Sequence, residues 1–223
     1  MKEPRSGKFI SLEGGEGAGK TQLLQQLLGS LAAPGREIIA TREPGGTTVA
    51  EVIRKVFAEV PADEVLTMES ELFLISAARS QHVAQLIRPA LARGAWVLCD
   101  RFADSTRVYQ GHLGGLSSTL IETLIAASTA LLEPHLTLYL DCPVEVAEQR
   151  LQRRKTAAKV SHSLGEGGGV GRYDGAERAL HQQLRQGFQA LCGRFPQRVV
   201  LIDASQSPDL VLKQALTAIK ERC

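Results

Sequence analysis

Aromatic residues are scarce in this sequence of 223 residues, where they occupy only 4% of the positions. A chain with so few rings is poorly suited to stacking bases along an extended groove. The charges also nearly cancel, with 26 basic residues against 24 acidic residues. The strongly basic face of a general nucleic-acid-binding protein is therefore not expected, and neither is a nucleic-acid partner.

Cysteines are few and widely spaced. The four thiols form no C-x-x-C pair, so neither a zinc site nor a redox pair is expected; they are Cys99, Cys142, Cys192 and Cys223. Thiols scattered through apolar segments fit a reducing compartment. The polar start lacks the apolar core of a signal peptide, and no run approaches the ~18 apolar residues that cross a bilayer. We expect a soluble, cytoplasmic protein with no membrane contact.

What the sequence does contain is an alternation of short apolar strands and longer helical stretches. Hydrophobic residues make up 43% of the chain, enough for a proper core. The predicted strands are residues 9–13, 37–41, 96–100, 136–141 and 198–203. The predicted helices are residues 21–33, 49–57, 69–93, 117–132, 176–194 and 208–222, with one more beginning near Pro143. This alternation predicts an α/β fold whose parallel sheet is covered by helices on both faces.

We expect residues 1–223 to form one domain. The segment Lys155–Gly171, which contains GEGGG, is interpreted as a mobile loop inside that domain, because helix and strand signals resume on both sides of it. The polar tail at residues 1–7 is expected to be prone to disorder.

The most specific motif lies between the first predicted strand and the following helix, in FISLEGGEGAGKT. It matches G-x-x-x-x-G-K-[ST], the pattern of a phosphate-binding loop. Glycines let successive backbone N–H groups approach phosphate oxygens, and the helix N-terminus adds partial positive charge. The lysine can bridge the outer phosphates, and the threonine can hold Mg²⁺. The predicted nucleotide site consists of Gly14, Gly15, Glu16, Gly17, Ala18, Gly19, Lys20 and Thr21.

A phosphate-binding loop alone does not name the activity. The guanine-reading motif N-K-x-D of GTP switches is absent, and Asp100 is followed by Arg101 rather than by the second acid of a motor ATPase. An arginine at that place favours a second bound anion over an activated water. Asp100 is the candidate for orienting Mg²⁺ or its waters. A structural ion pair of Arg101 with Asp100 or Asp104 stays open.

Two further segments follow predicted strands, at the edge where open α/β sheets bind ligands. In TREPGGT, Arg42 offers a planar fork suited to phosphate, and Pro44 with two glycines fixes the loop; a surface turn with a solvated arginine stays open. In DRFADSTRVYQG, the side chains that could face a ligand are Arg101, Ser105, Thr106, Tyr109 and Gln110. Arg79 lies amid apolar positions of a predicted helix, a pattern that favours snorkelling over ligand binding.

Taken in order, GxxGxGKT, TREPGGT, a helix whose apolar run ends in A-A-R, and DRFxxSTxxYQG resemble the bacterial thymidylate kinases. The similarity runs from about Lys8 to Arg222. It implies the three-layer P-loop NTPase fold of nucleoside monophosphate kinases, with a five-stranded parallel sheet and a mobile lid. It also implies phosphorylation of dTMP to dTDP with ATP as co-substrate and Mg²⁺ as cofactor, in a homodimer.

The resemblance also implies roles for individual residues. Arg42 and Arg101 would hold the dTMP phosphate, and Arg79 would hydrogen-bond the thymine edge instead of snorkelling. Around the sugar and base it places Thr106 and Gln110 near thymine, Tyr109 where a ribose 2′-hydroxyl would sit, and Glu16 near the 3′-hydroxyl.

Two positions depart from the family pattern. Relatives usually carry Phe four residues before Arg79, where its ring stacks on thymine, but this chain has Ile75. Aliphatic contact is expected there in place of stacking. Relatives commonly end the lid with D-R-x-E, whereas residues 171–174 read Gly-Arg-Tyr-Asp, so that Arg172 alone matches outright.

The predicted lid, at about residues 150–172, is the most basic part of the chain. Some members of the family carry an arginine in the phosphate-binding loop, but the residue after Glu16 here is Gly17. The lid carries Arg150, Arg153, Arg154, Lys155, Lys159 and Arg172 against the single acid Glu166. Closing over ATP, it would supply the missing charge and exclude water; a solvated basic helix end is the alternative. Beside Lys20, Arg101 and Glu16, the catalytic candidates are Arg154 and Arg172, and Arg150 is the candidate for stacking on adenine.

Two other functions stay open at this point. One is a kinase for another nucleoside monophosphate, which Ile75 allows. The other is a non-catalytic P-loop protein that binds nucleotide, against which Arg42 and Arg101 argue, because such a protein has no second phosphate to hold. Transfer to a phosphate that is already ionised needs no strong base, so the histidines His82, His112 and His135 are expected to be surface or packing residues.

Overall fold

Five parallel strands form one sheet at the centre of the molecule. The computed structural model describes residues 7–60, 63–161 and 178–223. Its strands are β1 Lys8–Glu13, β2 Ile38–Arg42, β3 Trp96–Asp100, β4 Leu136–Asp141 and β5 Val199–Asp203. Their order across the sheet is β2-β3-β1-β4-β5, and each neighbouring pair is parallel. The predicted five-stranded parallel sheet is therefore confirmed.

Helices cover both faces of this sheet. They are α1 Lys20–Ser30, α2 Thr48–Ala58, α3 Met68–His82, α4 Arg88–Ala92, α5 Ala103–Thr106, α6 Ser118–Thr129, α7 Val144–Ser161, α8 Arg178–Arg194 and α9 Pro208–Arg222, with π-helical segments at Val83–Ile87 and Arg107–Leu113. On one face, α1 and α9 contribute Leu27 and Ala215 to a buried core. On the other face, Ile87 and Ile125 belong to a second core. Because both faces are covered, the strands are almost continuously apolar.

The long helix predicted over residues 69–93 is interrupted. It ends as an α-helix at His82, passes through the π-helical turn Val83–Ile87, and resumes as α4. Pro89 lies in the first turn of α4 and has no N–H to donate to the turn before it, so that a wider turn fits there. The apolar spacing of the sequence continues through the turn and does not reveal it.

A helical stretch that was not predicted spans residues 103–113. It comprises α5 and the π-helical segment Arg107–Leu113. Polar residues dominate it, so it lacks the apolar periodicity of a helix. Its buried Asp104 accepts hydrogen bonds from Arg107 at 2.8 Å and from Arg198 at 2.6 and 2.9 Å. Paired charges thus act together with the buried apolar side chains of Val108 and Tyr109 in holding this stretch against the rest of the protein.

Some predictions concern residues outside the described ranges. These are the tail at residues 1–6, the lid beyond Ser161, and with it Arg172 and residues 171–174. The first part of the predicted loop Lys155–Gly171 is helical instead, because α7 continues to Ser161. Gly7, the last residue of the predicted tail, is described and is buried. Within the described parts of the chain, no helix is both long enough and apolar enough to cross a membrane. The carboxyl ends of the parallel strands meet at one edge of the sheet, where the polar motifs converge.

Candidate active site

The phosphate-binding loop turns between β1 and α1. Its Gly14, Gly17 and Gly19 have φ angles of 141°, 77° and 93°, a region that side chains disfavour. The Lys20 ammonium folds back and donates to the carbonyl oxygens of Gly14 and Gly15, both at 2.9 Å. The cation therefore lies inside the loop, at the N-terminus of α1, where an anion is favoured.

The charge of Lys20 depends on its neighbours. Burial, followed by repulsion from Arg101, lowers the pKa of Lys20 to about 8, while Asp100 and Glu16 oppose the fall. A phosphate anion in the loop would add a counter-charge and favour the protonated lysine. Phosphate binding and protonation of Lys20 therefore support each other.

Thr21 and Asp100 lie together beside the loop. The Thr21 hydroxyl donates to Asp100 Oδ2 at 3.2 Å. The other carboxylate oxygen, Oδ1, is buried and has no hydrogen-bond partner within the described ranges. Hydroxyl and carboxylate oxygens are ligands that Mg²⁺ prefers. The two residues predicted to hold the metal are thus adjacent, and a partnerless buried oxygen fits a cation there.

A turn with unusual backbone geometry directs Arg101 into the site. Its φ of 69° lies in the left-handed region, which a non-glycine residue adopts only when its surroundings hold it. The buried Glu13 carboxylate accepts from the Phe102 backbone N–H at 2.8 Å and from the Ser105 hydroxyl at 2.6 Å. Ser105 also accepts from Arg101 at 3.3 Å. Ser105 therefore anchors this turn, and Glu13, which carries no motif signal, was missed by the sequence analysis.

Arg101 is joined to the phosphate-binding loop by Glu16 and Tyr109. It donates to Glu16 Oε1 at 3.0 Å, and the Tyr109 hydroxyl donates to the two Glu16 oxygens at 3.3 and 3.2 Å. The guanidinium also lies over the Tyr109 ring, 5.1 Å from its centroid. Burial would raise the pKa of Glu16, but Arg101 and Lys20 hold it below its ordinary value. Arg101 is thus paired with an ionised Glu16 inside the site, and among the described residues it forms no ion pair with Asp100 or Asp104, the two partners left open above.

A cavity of about 540 Å³ runs along the loop between β5, α2 and α7. Ala204 and Pro208 line one end of it. From α7, Arg150 and Arg154 line the cavity, whereas Arg153 does not belong to the lining within the described ranges. Two of the predicted lid arginines therefore face the space beside the phosphate-binding loop.

Helix α7 leaves no room for a side chain at Gly17. A Cβ at this position would lie 2.6 Å from the backbone oxygen of Ala147. The φ of 77° would add strain to any substitution. An arginine cannot be placed in the loop here unless α7 moves, while the same helix carries Arg150 and Arg154 to the cavity.

Three arginines line the end of the cavity beside β2 and β3, namely Arg42, Arg54 and Arg101. Arg42 is more than half exposed and donates to both Glu51 oxygens at 3.2 and 3.1 Å. Arg54 donates to the Pro44 carbonyl oxygen at 3.0 Å. Burial, followed by repulsion from Arg42, lowers the pKa of Arg54. An anion would relieve this repulsion. The sequence analysis missed Arg54 because the pattern of an amphipathic helix predicts that a basic residue lies on its solvent-exposed face.

Arg79 is buried, with 1% of its side chain exposed. Its Nε donates to Glu43 Oε2 at 2.8 Å, and its Nη2 donates to the Thr106 hydroxyl at 2.9 Å. The remaining nitrogen, Nη1, is buried without a hydrogen-bond partner in the parts of the chain described. The snorkelling interpretation is therefore wrong, because Glu43, distant in sequence, provides a buried counter-charge.

His82 holds Glu43 from the other side. Its Nδ1 lies 3.0 Å from Glu43 Oε1, and its Nε2 lies 2.8 Å from the Thr41 hydroxyl oxygen. His82 is fully buried, so it is a packing residue that orients the carboxylate beside Arg79. His112 and His135 are exposed, and His135 Nδ1 accepts a hydrogen bond from the Phe9 backbone N–H at 3.0 Å.

Gln110 lies one turn beyond Thr106 and is also buried. Its Nε2 donates to Glu71 Oε2 at 3.0 Å, while its Oε1 is buried and lacks a partner among the residues described. Ile75 is partly buried on α3, one turn from both Glu71 and Arg79. The predicted base-contacting residues thus gather between α3 and the segment Arg107–Leu113. Partnerless buried polar atoms are costly, so those here indicate a polar ligand.

These features define a class of protein. A P-loop that faces a cavity lined by three arginines, with a cluster of buried polar side chains beside it, is the arrangement of a kinase that acts on a small phosphorylated acceptor. The family model described as thymidylate kinase matches residues 12–215. The chain belongs to the thymidylate kinase family.

Curated relatives match nearly the whole chain. The thymidylate kinase of Bradyrhizobium diazoefficiens is 40% identical, over 97% of this chain and 90% of its own length. That of Alcanivorax borkumensis is 42% identical, over 97% of both chains. The crystal structure of the thymidylate kinase from Ehrlichia chaffeensis has the same fold, with a TM-score of 0.71 and 24% identity over 96% of this chain and 99% of that one.

The family establishes the activity. This chain is a kinase that phosphorylates dTMP with ATP, as the resemblance of its four motifs predicted. A kinase for another nucleoside monophosphate and a non-catalytic nucleotide-binding protein, the two other functions considered, are not retained.

Proposed function

We propose that the γ-phosphoryl group of ATP passes directly, in line, to the phosphate of dTMP within the cavity described above. The observation that carries this proposal is the single space that joins the phosphate-binding loop to Arg42, Arg54 and Arg101. Phosphoryl transfer requires mainly positioning and positive charge. The acceptor phosphate is already an anion at neutral pH, so neither a strong base nor a phosphoenzyme is needed.

The donor end is formed by the loop and α7. Lys20 would leave the carbonyl oxygens of Gly14 and Gly15 for the outer phosphates of ATP, while the backbone N–H groups of residues 14–21 surround the phosphate chain. Arg150 lines the same cavity as Ala204 and Pro208, which supports its place beside adenine.

Thr21 and Asp100 would hold the magnesium ion that accompanies ATP. The ion, when bound, supplies Lewis-acid charge to the phosphate oxygens. The partnerless Asp100 Oδ1 and its neighbouring hydroxyl support this assignment. Asp100 and Thr21 would thereby fix the geometry of the donor phosphates next to Arg101.

Arg101 and Arg42 would bind the dTMP phosphate by exchanging partners. Arg101 would release Glu16 and bind the incoming anion with its planar fork. Arg42, paired with the exposed Glu51, would make the same exchange at small cost because exposed ion pairs are weak. The released Glu16 carboxylate could accept a hydrogen bond from the 3′-hydroxyl, with Tyr109 beside the sugar.

The transition-state charge would be neutralised by an arginine of the lid. Arg154 lines the cavity, and Gly17 cannot carry the arginine that some relatives have in the loop. Arg172 stays a candidate outside the described ranges. Arg150, Arg154 and the segment that follows α7 would form the lid over ATP within a single domain.

Thymine would bind between α3 and the segment Arg107–Leu113. Arg79 Nη1 would donate to a carbonyl oxygen of the base, and Gln110 would contact the same edge. Thr106 positions Arg79 through their hydrogen bond of 2.9 Å. Ile75, between these polar residues, would contact the ring by its aliphatic side chain.

The protein would act as a homodimer. Val49, Val52 and Val56 lie on one face of α2 and are exposed, as is Phe73 on the adjacent α3. A second copy packed on this face would bury these side chains and support α2, which carries Arg54 and Glu51 to the active site. Sedimentation of the intact chain and of Val52→Glu tests this: we expect a dimer of the 24.1 kDa chain that Val52→Glu dissociates. A wild-type monomer at micromolar concentration would contradict it.

We also infer a cytoplasmic location, where ATP and dTMP are available.

The experiment that tests the shared cavity measures ADP production at varied dTMP and ATP, with Arg54→Ala compared with Lys55→Ala. Arg54 lines the acceptor end, whereas Lys55 is the exposed next residue of α2. We expect Arg54→Ala to raise the KM for dTMP about tenfold at an unchanged KM for ATP, and Lys55→Ala to change neither. Equal KM values for dTMP in the two variants would contradict the acceptor site.

A further inference from the structure

Two hydrogen-bonded pairs connect α3 to the helical segment that faces it. Arg79 donates to the Thr106 hydroxyl at 2.9 Å. About two turns earlier on α3, Glu71 accepts a hydrogen bond from the Gln110 side-chain amide at 3.0 Å. Arg79, Thr106, Gln110 and Glu71 are all at least nine-tenths buried. The two pairs lie on either side of Ile75, where the base is proposed to bind. Each pair leaves one buried polar atom unused, namely Arg79 Nη1 and Gln110 Oε1.

The direction of the second pair is fixed by chemistry. An ionised carboxylate can only accept hydrogen bonds, whereas the Gln110 amide can donate through its nitrogen or accept through its oxygen. The Gln110 nitrogen must therefore point to Glu71, and the Gln110 oxygen must point away from it. Within the site, the result is a cationic donor at Arg79 and a pure acceptor at Gln110.

This order of donor and acceptor matches one kind of pyrimidine edge. Thymine and uracil present an acceptor at O4 beside a donor at N3–H. Cytosine presents the reverse, a donor at its exocyclic amine beside an acceptor at N3. Arg79 Nη1 and Gln110 Oε1 are complementary to the first edge and unmatched at both positions by the second.

We propose that Glu71 is a positioning residue for base selectivity, which fixes the Gln110 amide so that the enzyme rejects cytosine. The proposal rests on the base pocket of the proposed function and adds a residue that does not touch the base. Without an acceptor-only partner, the Gln110 amide could turn over and donate to cytosine N3. Selectivity against dCMP would then depend on Arg79 alone.

The test compares kcat/KM for dTMP, dUMP and dCMP in Glu71→Gln with the wild-type chain. We expect the ratio of dTMP to dCMP to fall about tenfold, in line with the discrimination that one good hydrogen-bond pair provides. The ratio of dTMP to dUMP should stay within about twofold, because these bases share the edge that Gln110 contacts. Glu69→Gln makes the same chemical change at an exposed position of α3 and should leave both ratios as in the wild type.

The exchange variant Glu71→Gln/Gln110→Glu separates amide orientation from general loosening of the pocket. In it, the new glutamine at position 71 donates to the new carboxylate, whose second oxygen again accepts from N3–H. We expect the dTMP-to-dCMP ratio to return to within about threefold of the wild type. If Glu71→Gln does not fold, Glu71→Asp replaces it and, keeping an acceptor-only group, should preserve the ratio.

The outcomes distinguish this proposal from the proposed function. An Arg79→Ala variant with the dTMP turnover of the wild type would overturn the proposed pocket itself. Four results would each overturn the role of Glu71 alone. Two concern Glu71→Gln: it keeps the selectivity of the wild type, or its dTMP-to-dUMP ratio changes as much as its dTMP-to-dCMP ratio. The others are an exchange variant that does not regain selectivity and a Glu71→Asp variant that loses it.

Discussion

The phosphate end and the base end of the site are built on opposite principles. At the phosphate end, the cations line an open cavity and are paired with partners that they can leave, as Arg42 is with Glu51 and Arg101 is with Glu16. At the base end, Arg79 is buried with its counter-ion Glu43, and its remaining nitrogen has no partner within the described ranges.

The difference follows from what each end has to recognise. Phosphates are large charges whose position shifts during transfer, and long cationic side chains can follow them by exchanging one anion for another. A base edge offers weak, directional groups, so that its recognition needs donors and acceptors fixed before binding. Substitutions at the phosphate end should therefore affect kcat or the KM of a nucleotide, while those at the base end should affect selectivity between bases.

The largest effect is expected at Arg154. Replacement by Ala removes a guanidinium whose contact with the transferred phosphoryl group forms fully only in the transition state. We therefore expect kcat to fall by about a hundredfold or more, while the KM for dTMP changes much less. Arg153→Ala, at a position of α7 that does not line the cavity within the described ranges, should stay within about threefold. Steady-state kinetics with both substrates varied provides the measurement. If Arg154→Ala, Arg150→Ala and Arg172→Ala all kept kcat within about threefold, the lid would act only as a cover.

Arg101→Ala should have the next largest effect. It removes one charge-assisted contact with the acceptor phosphate, a loss on the order of 3 kcal/mol, or about a hundredfold in kcat/KM. The far-UV circular dichroism spectrum should remain that of the wild type. Arg93→Ala is the matched control, because Arg93 forms an exposed pair with Glu37. Near-normal turnover and KM for dTMP in Arg101→Ala would remove Arg101 from the site.

Gly17→Ala should have a smaller effect, on the donor end alone. The added methyl group would meet the Ala147 oxygen at 2.6 Å in a backbone conformation that disfavours it. We expect the KM for ATP to rise about tenfold, since the loop or α7 must shift, while the KM for dTMP changes little. Gly29→Ala, at a helical position with open space around its Cβ, is the control. Equal KM values for ATP in the two variants would show that α7 does not restrict position 17.

The two ends also differ in how far the sequence could predict them. The phosphate-binding loop, Arg42 and Arg101 were predicted because phosphate chemistry requires particular residues at short spacings. At the base end, Arg79 was misread from its helix pattern and corrected only by the family resemblance. Its partners Glu43 and His82, and the pair formed by Glu71 and Gln110, are brought together by the fold across many residues. No local pattern indicates such contacts.

Helix and strand boundaries show the same limit. The five strands were predicted closely, because a buried parallel sheet requires apolar runs. The helical stretch at residues 103–113 was missed, because its buried ion pairs have no apolar periodicity. Glu13, at the end of the first strand, was also missed. Its two hydrogen-bond partners, Phe102 and Ser105, follow a different strand, so no local sequence pattern indicates the contact.

The smallest predicted effect concerns Glu13 and is a change with pH in the free energy of unfolding. Burial, followed by the negative charge of Asp104, raises the pKa of Glu13 from 4.5 to about 7, against the opposing hydrogen bond from Ser105 and charge of Arg101. The folded protein therefore binds a proton that the unfolded chain has already released between these two values. The stability linked to this proton is present at low pH and is lost as the pH rises through about 7.

Replacing Glu13 by Gln should remove that dependence while keeping an oxygen for the Phe102 N–H. In urea unfolding, the wild type should lose on the order of 2 kcal/mol relative to Glu13→Gln between about pH 5 and about pH 8. The exposed Glu59→Gln should show the pH dependence of the wild type. An equal stability difference between wild type and Glu13→Gln at both pH values would mean that Glu13 holds the Arg101 turn as an ordinary ionised carboxylate. The phosphate end would then consist of ionised groups throughout, from Arg42 and Arg101 in the cavity to the buried Glu13 that holds the Arg101 turn.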